Sequence, residues 1–186
     1  PYGIDDGDHF VIEGDEYDSA FFAKFAKFLY YEPHTVILNN IEHDHADIYE
    51  NLAEIETAFR RLLNIVPTEG LVVANGEDPV IAGLLSSSFA PVQTFGLTAD
   101  ADWRAVDVEA SSTGQDFTVT RRGNILGKAH LRLHGDFNVR NTLAAVAALS
   151  TLAVGCSSVP TESESTTSGA DASPASPSAP GATGST

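Results

Sequence analysis

Residues 35–47 read Thr35-Val36-Ile37-Leu38-Asn39-Asn40-Ile41-Glu42-His43-Asp44-His45-Ala46-Asp47. The first four are β-branched or apolar, as is typical of a strand. Within a few positions the chain then turns to carboxylate, imidazole and amide groups. Ligands in open α/β sheets bind just beyond the carboxyl ends of such strands. We therefore expect this strand to end in a functional site.

The neighbouring sequence predicts an alternation of strands and helices. Apolar runs of strand length alternate with segments that have apolar residues at helical spacing. The predicted strands cover residues 9–12, 35–38, 71–75 and 91–96, and the predicted helices cover residues 20–29, 51–66 and 77–87. This order favours a parallel sheet flanked by helices.

The pattern changes at Trp103. Residues 103–109, 115–121 and 129–134 alternate apolar and polar side chains around glycines, which predicts antiparallel strands. An Ala- and Leu-rich helix follows Gly135, with Asp136 as its expected N-cap. The predicted fold class is α/β, with a mostly parallel sheet and a small antiparallel portion.

Composition narrows the classes of partner. With 26 acidic residues against 10 Lys and Arg, the net charge of −16 disfavours nucleic acid and suits a divalent cation. The single cysteine, Cys156, leaves no internal disulfide and agrees with a reducing, cytoplasmic location. Because no apolar run reaches about 20 residues, we expect no membrane span. The start at Pro1, without Met or a signal peptide, indicates a fragment.

Two regions differ in composition. Residues 1–155 form the expected folded domain, and residues 156–186 are a Ser-, Thr-, Pro- and Ala-rich tail that we expect to be disordered. Residues 152–158 resemble a lipoprotein processing site, but such a site acts only behind an amino-terminal signal peptide. We do not take it as a membrane anchor.

Acidic residues cluster after the first two predicted strands. Glu13, Asp15, Glu16 and Asp18 follow one strand, while Glu42, His43, Asp44, His45 and Asp47 follow the next. Consecutive strands of a βαβ unit are often neighbours, so the clusters could share one crevice and hold Mg²⁺. The alternative for each acid is a solvated loop position.

The second cluster also allows a different function. His43, His45 and Asp47 match the beginning of the H-x-H-x-D-H motif of metal-dependent hydrolases, although Ile48 replaces the last His. A metal-dependent hydrolase is therefore the alternative function.

Amide and basic side chains complete the candidates. Asn138 and Asn141 lie one turn apart and could bind an adenine edge, while helix capping is the alternative for Asn138. The basic residues on the predicted helices fit solvated faces better than a phosphate clamp; they are Lys24, Lys27, Arg60 and Arg61.

Four ordered motifs together resemble the Mur ligase family, and the match covers residues from about 8 to 150. Within that family the sequence looks like the ligases that add a murein peptide, and next like those that add L-alanine. The resemblance implies a central ATP-binding domain of the phosphate-loop type. The motifs lie at residues 13–22, 38–47, 75–79 and 135–141.

The resemblance also implies roles for single residues. Glu13 and His45 correspond to the catalytic residues that hold Mg²⁺, and Asn138 and Asn141 correspond to the pair that contacts the adenine of ATP. The family commonly has His where this chain has Phe137. An aromatic ring there retains stacking but loses a hydrogen bond.

The implied reaction joins a murein tripeptide or L-alanine to UDP-N-acetylmuramate through an acyl phosphate, in peptidoglycan biosynthesis or recycling. One departure bears on activity: the phosphate-loop motif G-x-x-x-x-G-K-[ST] occurs nowhere in the 186 residues. The family's amino-terminal and carboxy-terminal domains are also missing. We therefore expect this chain alone to be inactive, and a non-catalytic nucleotide-binding remnant is a further alternative.

Overall fold

The computed structural model describes residues 9–15, 17, 25–42 and 49–156. Short 3-10 turns form at Lys27–Tyr30 and Leu85–Ser87. The other elements are, in chain order, β1 (Thr35–Leu38), α1 (Leu52–Ile65), β2 (Leu71–Asn75), α2 (Pro79–Leu84), β3 (Val92–Gly96), β4 (Trp103–Ser111), β5 (Gly114–Arg121), β6 (Asn124–Leu131) and α3 (Asp136–Cys156).

The strands form one six-stranded sheet in the order β1-β2-β3-β4-β5-β6. Strands β1 to β4 pair in parallel, whereas β4, β5 and β6 pair antiparallel. The predicted fold class is thus confirmed. Among the described helices, none combines the length and hydropathy needed to cross a bilayer.

The connection from β3 to β4 is short for a parallel pair, which normally needs a crossover of about a dozen residues. Only two residue pairs lie in register, Phe95 with Trp103 and Gly96 with Arg104. Because β4 begins where β3 ends, the chain does not have to return along the whole strand. This offset lets the antiparallel strands extend the sheet without another helix.

Strand β2 is buried on both faces of the sheet. Val72 and Ala74 face the core beneath α1 and α2, and Leu71 and Val73 face the core beneath α3. All four are at most 5% exposed. Helices on both faces of a sheet produce this continuous apolar run in a parallel strand.

Helix α1 agrees closely with its sequence signals. The Asn51 side chain accepts a hydrogen bond from the Glu54 backbone N–H at 3.2 Å, which caps the first turn. The helix ends at Ile65, just before Pro67. Ile55, Ala58, Leu62 and Leu63 form its buried face.

The strand predicted at residues 9–12 was wrong. The described chain has a single bridge at Ile12, and Phe10, Val11 and Ile12 are 60%, 76% and 39% exposed. A short apolar run gains little from strand pairing when its side chains stay in solvent. Of the helix predicted at 20–29, residues 20–24 lie outside the described residues, and the rest contains only the 3-10 turn from Lys27.

Three other boundaries differ from the prediction. Strand β6 begins at Asn124 because Arg122 and Gly123, with φ of 47° and 83°, form a two-residue hairpin turn. Helix α2 ends at Leu84 and continues only as a 3-10 turn. Asp136 is the first residue of α3 and not its N-cap, since the Gly135 carbonyl accepts from Val139 N–H at 3.4 Å.

The fully buried Leu63 offers a test of this packing. We expect Leu63→Ala to lower the free energy of unfolding by about 3 kcal/mol, because it removes apolar contacts and leaves a cavity. Urea unfolding followed by circular dichroism measures the change. The exposed neighbour Asn64 provides the control, and Asn64→Ala should stay within about 0.5 kcal/mol of the parent. Equal effects of the two substitutions would contradict the assigned helix face.

Candidate functional site

The loops after β1, β2 and β3 meet at one edge of the sheet, where the parallel strands have their carboxyl ends. Side chains from the loop after β2 bind the loops after both neighbouring strands. Open α/β sheets place their ligand sites at this edge. The strand at residues 35–38, after which the sequence predicts a site, has its carboxyl end at this edge.

Asn75 and Asp78 hold the loop after β1. The Asn75 Nδ2 donates to the Asn39 carbonyl at 2.9 Å, and the Asn75 Oδ1 accepts from Glu77 N–H at 3.0 Å. The Asp78 Oδ2 accepts from Ile41 N–H at 3.2 Å, while its Oδ1 caps α2. Two side chains thus position a loop that follows a different strand.

Glu77 joins three segments. Its Oε1 accepts from the backbone N–H groups of Leu97 and Thr98 at 2.9 and 2.8 Å, and its Oε2 accepts from Arg140 Nε at 2.6 Å. The carboxylate side chain is only 14% exposed, and that of Arg140 is 30% exposed. Glycine at position 96 allows this approach, because a Cβ there would lie 3.0 Å from Glu77 Cδ.

The environment of Glu77 favours its charged form. Burial alone would raise the pKa of this carboxyl, but the hydrogen bonds from Arg140, Leu97 and Thr98 outweigh it, and the pKa is lowered. A carboxylate held by three donors is therefore ionised throughout the neutral range.

The predicted adenine contacts lie at the start of α3. Asn138 is half-buried and donates from Nδ2 to the His134 carbonyl at 2.8 Å, while Asn141 is exposed. Each amide has two donor hydrogens and an acceptor oxygen, so Asn138 retains the capacity to bind a ligand. Phe137 directly precedes Asn138 in the sequence and is 63% exposed.

The predicted metal ligands are only partly described. Glu13 is exposed and follows Ile12, whereas residues 43–48, including His43, His45 and Asp47, lie outside the described residues. Within the described ranges, no group of three or more His, Cys, Asp or Glu side chains could hold a metal ion. The carboxylate oxygens of Glu13 are hard donors of the kind Mg²⁺ prefers.

Asp15 and Lys27 have a structural role that the sequence analysis did not assign. Lys27 Nζ binds Asp15 Oδ2 at 2.9 Å, and Lys27 N–H donates to the Tyr17 carbonyl. The Lys27 side chain is still 39% exposed, so the ion pair is partly solvated. The contact joins the segment that carries Glu13 to the 3-10 turn before β1.

Sequence reasoning also missed the roles of Glu77 and Arg140. They are 63 positions apart, and no periodicity connects such distant residues. One signal was available: Glu77 lies in the motif at 75–79, two residues after a strand predicted to be fully buried.

Comparison with known proteins identifies the family. Residues 4–149 match the model described as the Mur ligase middle domain. The UDP-N-acetylmuramate–L-alanyl-γ-D-glutamyl-meso-2,6-diaminoheptandioate ligase of Haemophilus influenzae is 34% identical over 145 residues, which cover 78% of this chain and 31% of that ligase. The UDP-N-acetylmuramate–L-alanine ligase of Salinibacter ruber is 37% identical over 142 residues, covering 76% and 28%.

A solved structure agrees. The crystal structure of the UDP-N-acetylmuramate:L-alanyl-γ-D-glutamyl-meso-diaminopimelate ligase from Neisseria meningitides has a TM-score of 0.67 and 41% identity. The alignment covers 75% of this chain and 42% of that one. The likeness predicted from the four motifs is confirmed, both to peptide-adding and to L-alanine-adding ligases.

The lowered pKa of Glu77 predicts a pH-dependent contribution to stability. The unfolded carboxyl takes up a proton near its ordinary pKa of 4.5, whereas the folded one stays charged to lower pH. The contribution is complete above pH 4.5 and is lost as the pH falls through the folded pKa. We expect Glu77→Gln to cost about 2 kcal/mol at pH 7 and less at pH 3, measured by urea unfolding.

Glu109, an exposed carboxylate on β4, provides the control. Glu109→Gln should leave the unfolding midpoint at pH 7 nearly unchanged. A Glu77→Gln penalty that is the same at both pH values would show that the ionised carboxylate is not the source of the stability.

Proposed function

The chain belongs to the Mur ligase family through a middle domain at residues 4–149, and on that premise we propose that it serves an ATP-dependent, amide-forming ligase. The proposed reaction joins a murein tripeptide, or L-alanine, to UDP-N-acetylmuramate. The observation that carries the proposal is the family match, supported by relatives whose names are those of such ligases.

The chain spans 31% and 28% of the lengths of these two curated relatives. Activity, substrates and partners of the whole protein are therefore part of the proposal. So is the predicted cytoplasmic location, which fits a reaction that consumes ATP.

The proposed chemistry has two steps. The muramoyl carboxylate attacks the γ-phosphorus of ATP, which forms an acyl phosphate and releases ADP. The amine then attacks the acyl carbon, expels inorganic phosphate, loses a proton and forms the amide. Activation is needed because a free carboxylate does not react with an amine.

Five side chains have roles in this proposal. Asn138 and Asn141 hydrogen-bond the adenine edge, and the exposed ring of Phe137 is suited to stack on a base. Glu13 and His45 would hold Mg²⁺, which neutralises charge on the transferring phosphoryl group when it is bound. Phe137 replaces a hydrogen-bonding His of the family with a purely apolar contact.

The described fold argues against a metal-dependent hydrolase. Its fold would be an αββα sandwich, whereas the described sheet has four parallel strands with helices on both faces. The family match points in the same direction.

Adenine nucleotide binding tests the roles of the asparagines. We expect ADP to shift the side-chain amide NMR signals of Asn138 and Asn141, with weak affinity because these residues include no phosphate loop. Asn141→Ala should weaken binding by about five- to tenfold, the worth of one net hydrogen bond. Ser150→Ala, nine residues further along α3, is the matched control. Shifts confined to other parts of the protein would contradict the assignment.

Turnover provides a second test. We expect this chain alone to release no phosphate from ATP in the presence of UDP-N-acetylmuramate and tripeptide, because the 186 residues contain no phosphate-loop motif. Phosphate release is followed with each substrate omitted in turn, and L-alanine replaces the tripeptide in a parallel series. Substrate-dependent turnover would refute the requirement for the loop.

A further inference from the structure

Arg140 and the two asparagines leave α3 in different directions. At about 100° per residue, Arg140 points about 130° away from the midpoint of Asn138 and Asn141 around the helix axis. Val139, Leu143 and Ala147 are fully buried and place the packed face on the Arg140 side. The amides of Asn138 and Asn141 and the guanidinium of Arg140 therefore lie on different faces of the same helical turn.

The partner of Arg140 is itself fixed. Two backbone N–H groups after β3 hold Glu77 Oε1, and its own N–H is bound by Asn75 Oδ1. The remaining oxygen is directed to Arg140 at 2.6 Å. Through this carboxylate, the first turns of α3 are connected to the ends of both β2 and β3.

We propose that Glu77 and Arg140 are positioning residues for nucleotide binding, which set the rotation of the first turns of α3 and so aim Asn138 and Asn141 at the ligand. The inference rests on the proposed function, since it assigns the ligand to that asparagine pair. Neither Glu77 nor Arg140 has to touch the nucleotide.

The packing of α3 shows why such a connection is needed. Its buried face after Leu143 is made largely of small side chains, namely Ala144, Ala147 and Ala148. Short side chains allow close approach but interlock little, so they resist rotation of the helix weakly. A charged hydrogen bond near the helix start has a defined direction and supplies the missing restraint.

The experiment compares ADP affinity among four variants, measured by NMR titration of the whole chain. They are Glu77→Gln, Arg140→Met, the double variant and Arg140→Lys. We expect each of the first two to weaken ADP binding about tenfold, the lower end of what losing an orienting partner costs at metal sites. The double variant should be no weaker than either single one, because both remove the same interaction. Arg140→Lys, which keeps a donor and the charge, should restore part of the affinity.

Arg122 provides the matched control. Its Nε also binds a carboxylate, Asp102 Oδ1 at 2.8 Å, but Asp102 in turn binds Thr94 on β3 and, among the side chains that the structure describes, none on α3. Arg122→Met should therefore leave ADP affinity unchanged. Thermal unfolding of every variant identifies any that fails to fold, and hydrogen exchange of residues 136–142 in the folded variants measures the restraint on the helix start directly.

The outcomes separate the two proposals. If the parent chain binds no ADP, the proposed function fails, and this inference fails with it. If the parent binds and the variants lose stability but keep its affinity, the pair is merely structural and only this inference is overturned. Exchange at residues 136–142 that stays at the parent level in Glu77→Gln would also overturn it.

Discussion

The burial of β2 on both faces is the constraint on which the domain depends. The strand lies between two helix layers, and its first four residues are at most 5% exposed, so a polar side chain there could not reach water. These residues are Leu71, Val72, Val73 and Ala74. Polar groups can begin only where the helices no longer cover the strand, at Asn75. The double burial therefore concentrates hydrogen-bonding side chains at one edge of the sheet, and three of the four residues from Asn75 to Asp78 use them to hold other loops.

Besides the stability that the lowered pKa of Glu77 implies, these contacts fix the geometry of the loops. Removing a carboxylate and a guanidinium from water costs much of the energy that their attraction returns. At Glu77 part of this cost is offset by hydrogen bonds from two backbone N–H groups at the end of β3. The carboxylate is thereby confined to one position, and a confined carboxylate can orient whatever binds its second oxygen.

The sequence predicted those features that depend on neighbours along the chain. Helix α1 was recognised because its apolar spacing, the Asn51 cap and Pro67 all agree. The mixed sheet followed from the change of pattern at Trp103. Strand β6 was misplaced because the turn at Arg122 and Gly123, and not the apolar alternation further on, sets its register. The apolar run at 9–12 resembled a buried strand, but burial depends on which elements cover it.

Only those site residues that lie within one sequence motif could be predicted. Asn138 and Asn141 belong to a local pattern and lie together at the start of α3, as expected. The connection from Glu77 to Arg140 joins residues 63 positions apart in the sequence and has no local signature.

Arg140 lies between the two asparagines in sequence, yet helical geometry turns it toward the sheet and leaves the amides on the other face. In the proposed site, residues 138–141 would bind the nucleotide through the amides on one helix face, while Arg140 on the other face sets the rotation of the helix. The amides can be found from a local motif, whereas the contact of Arg140 is known only from the fold.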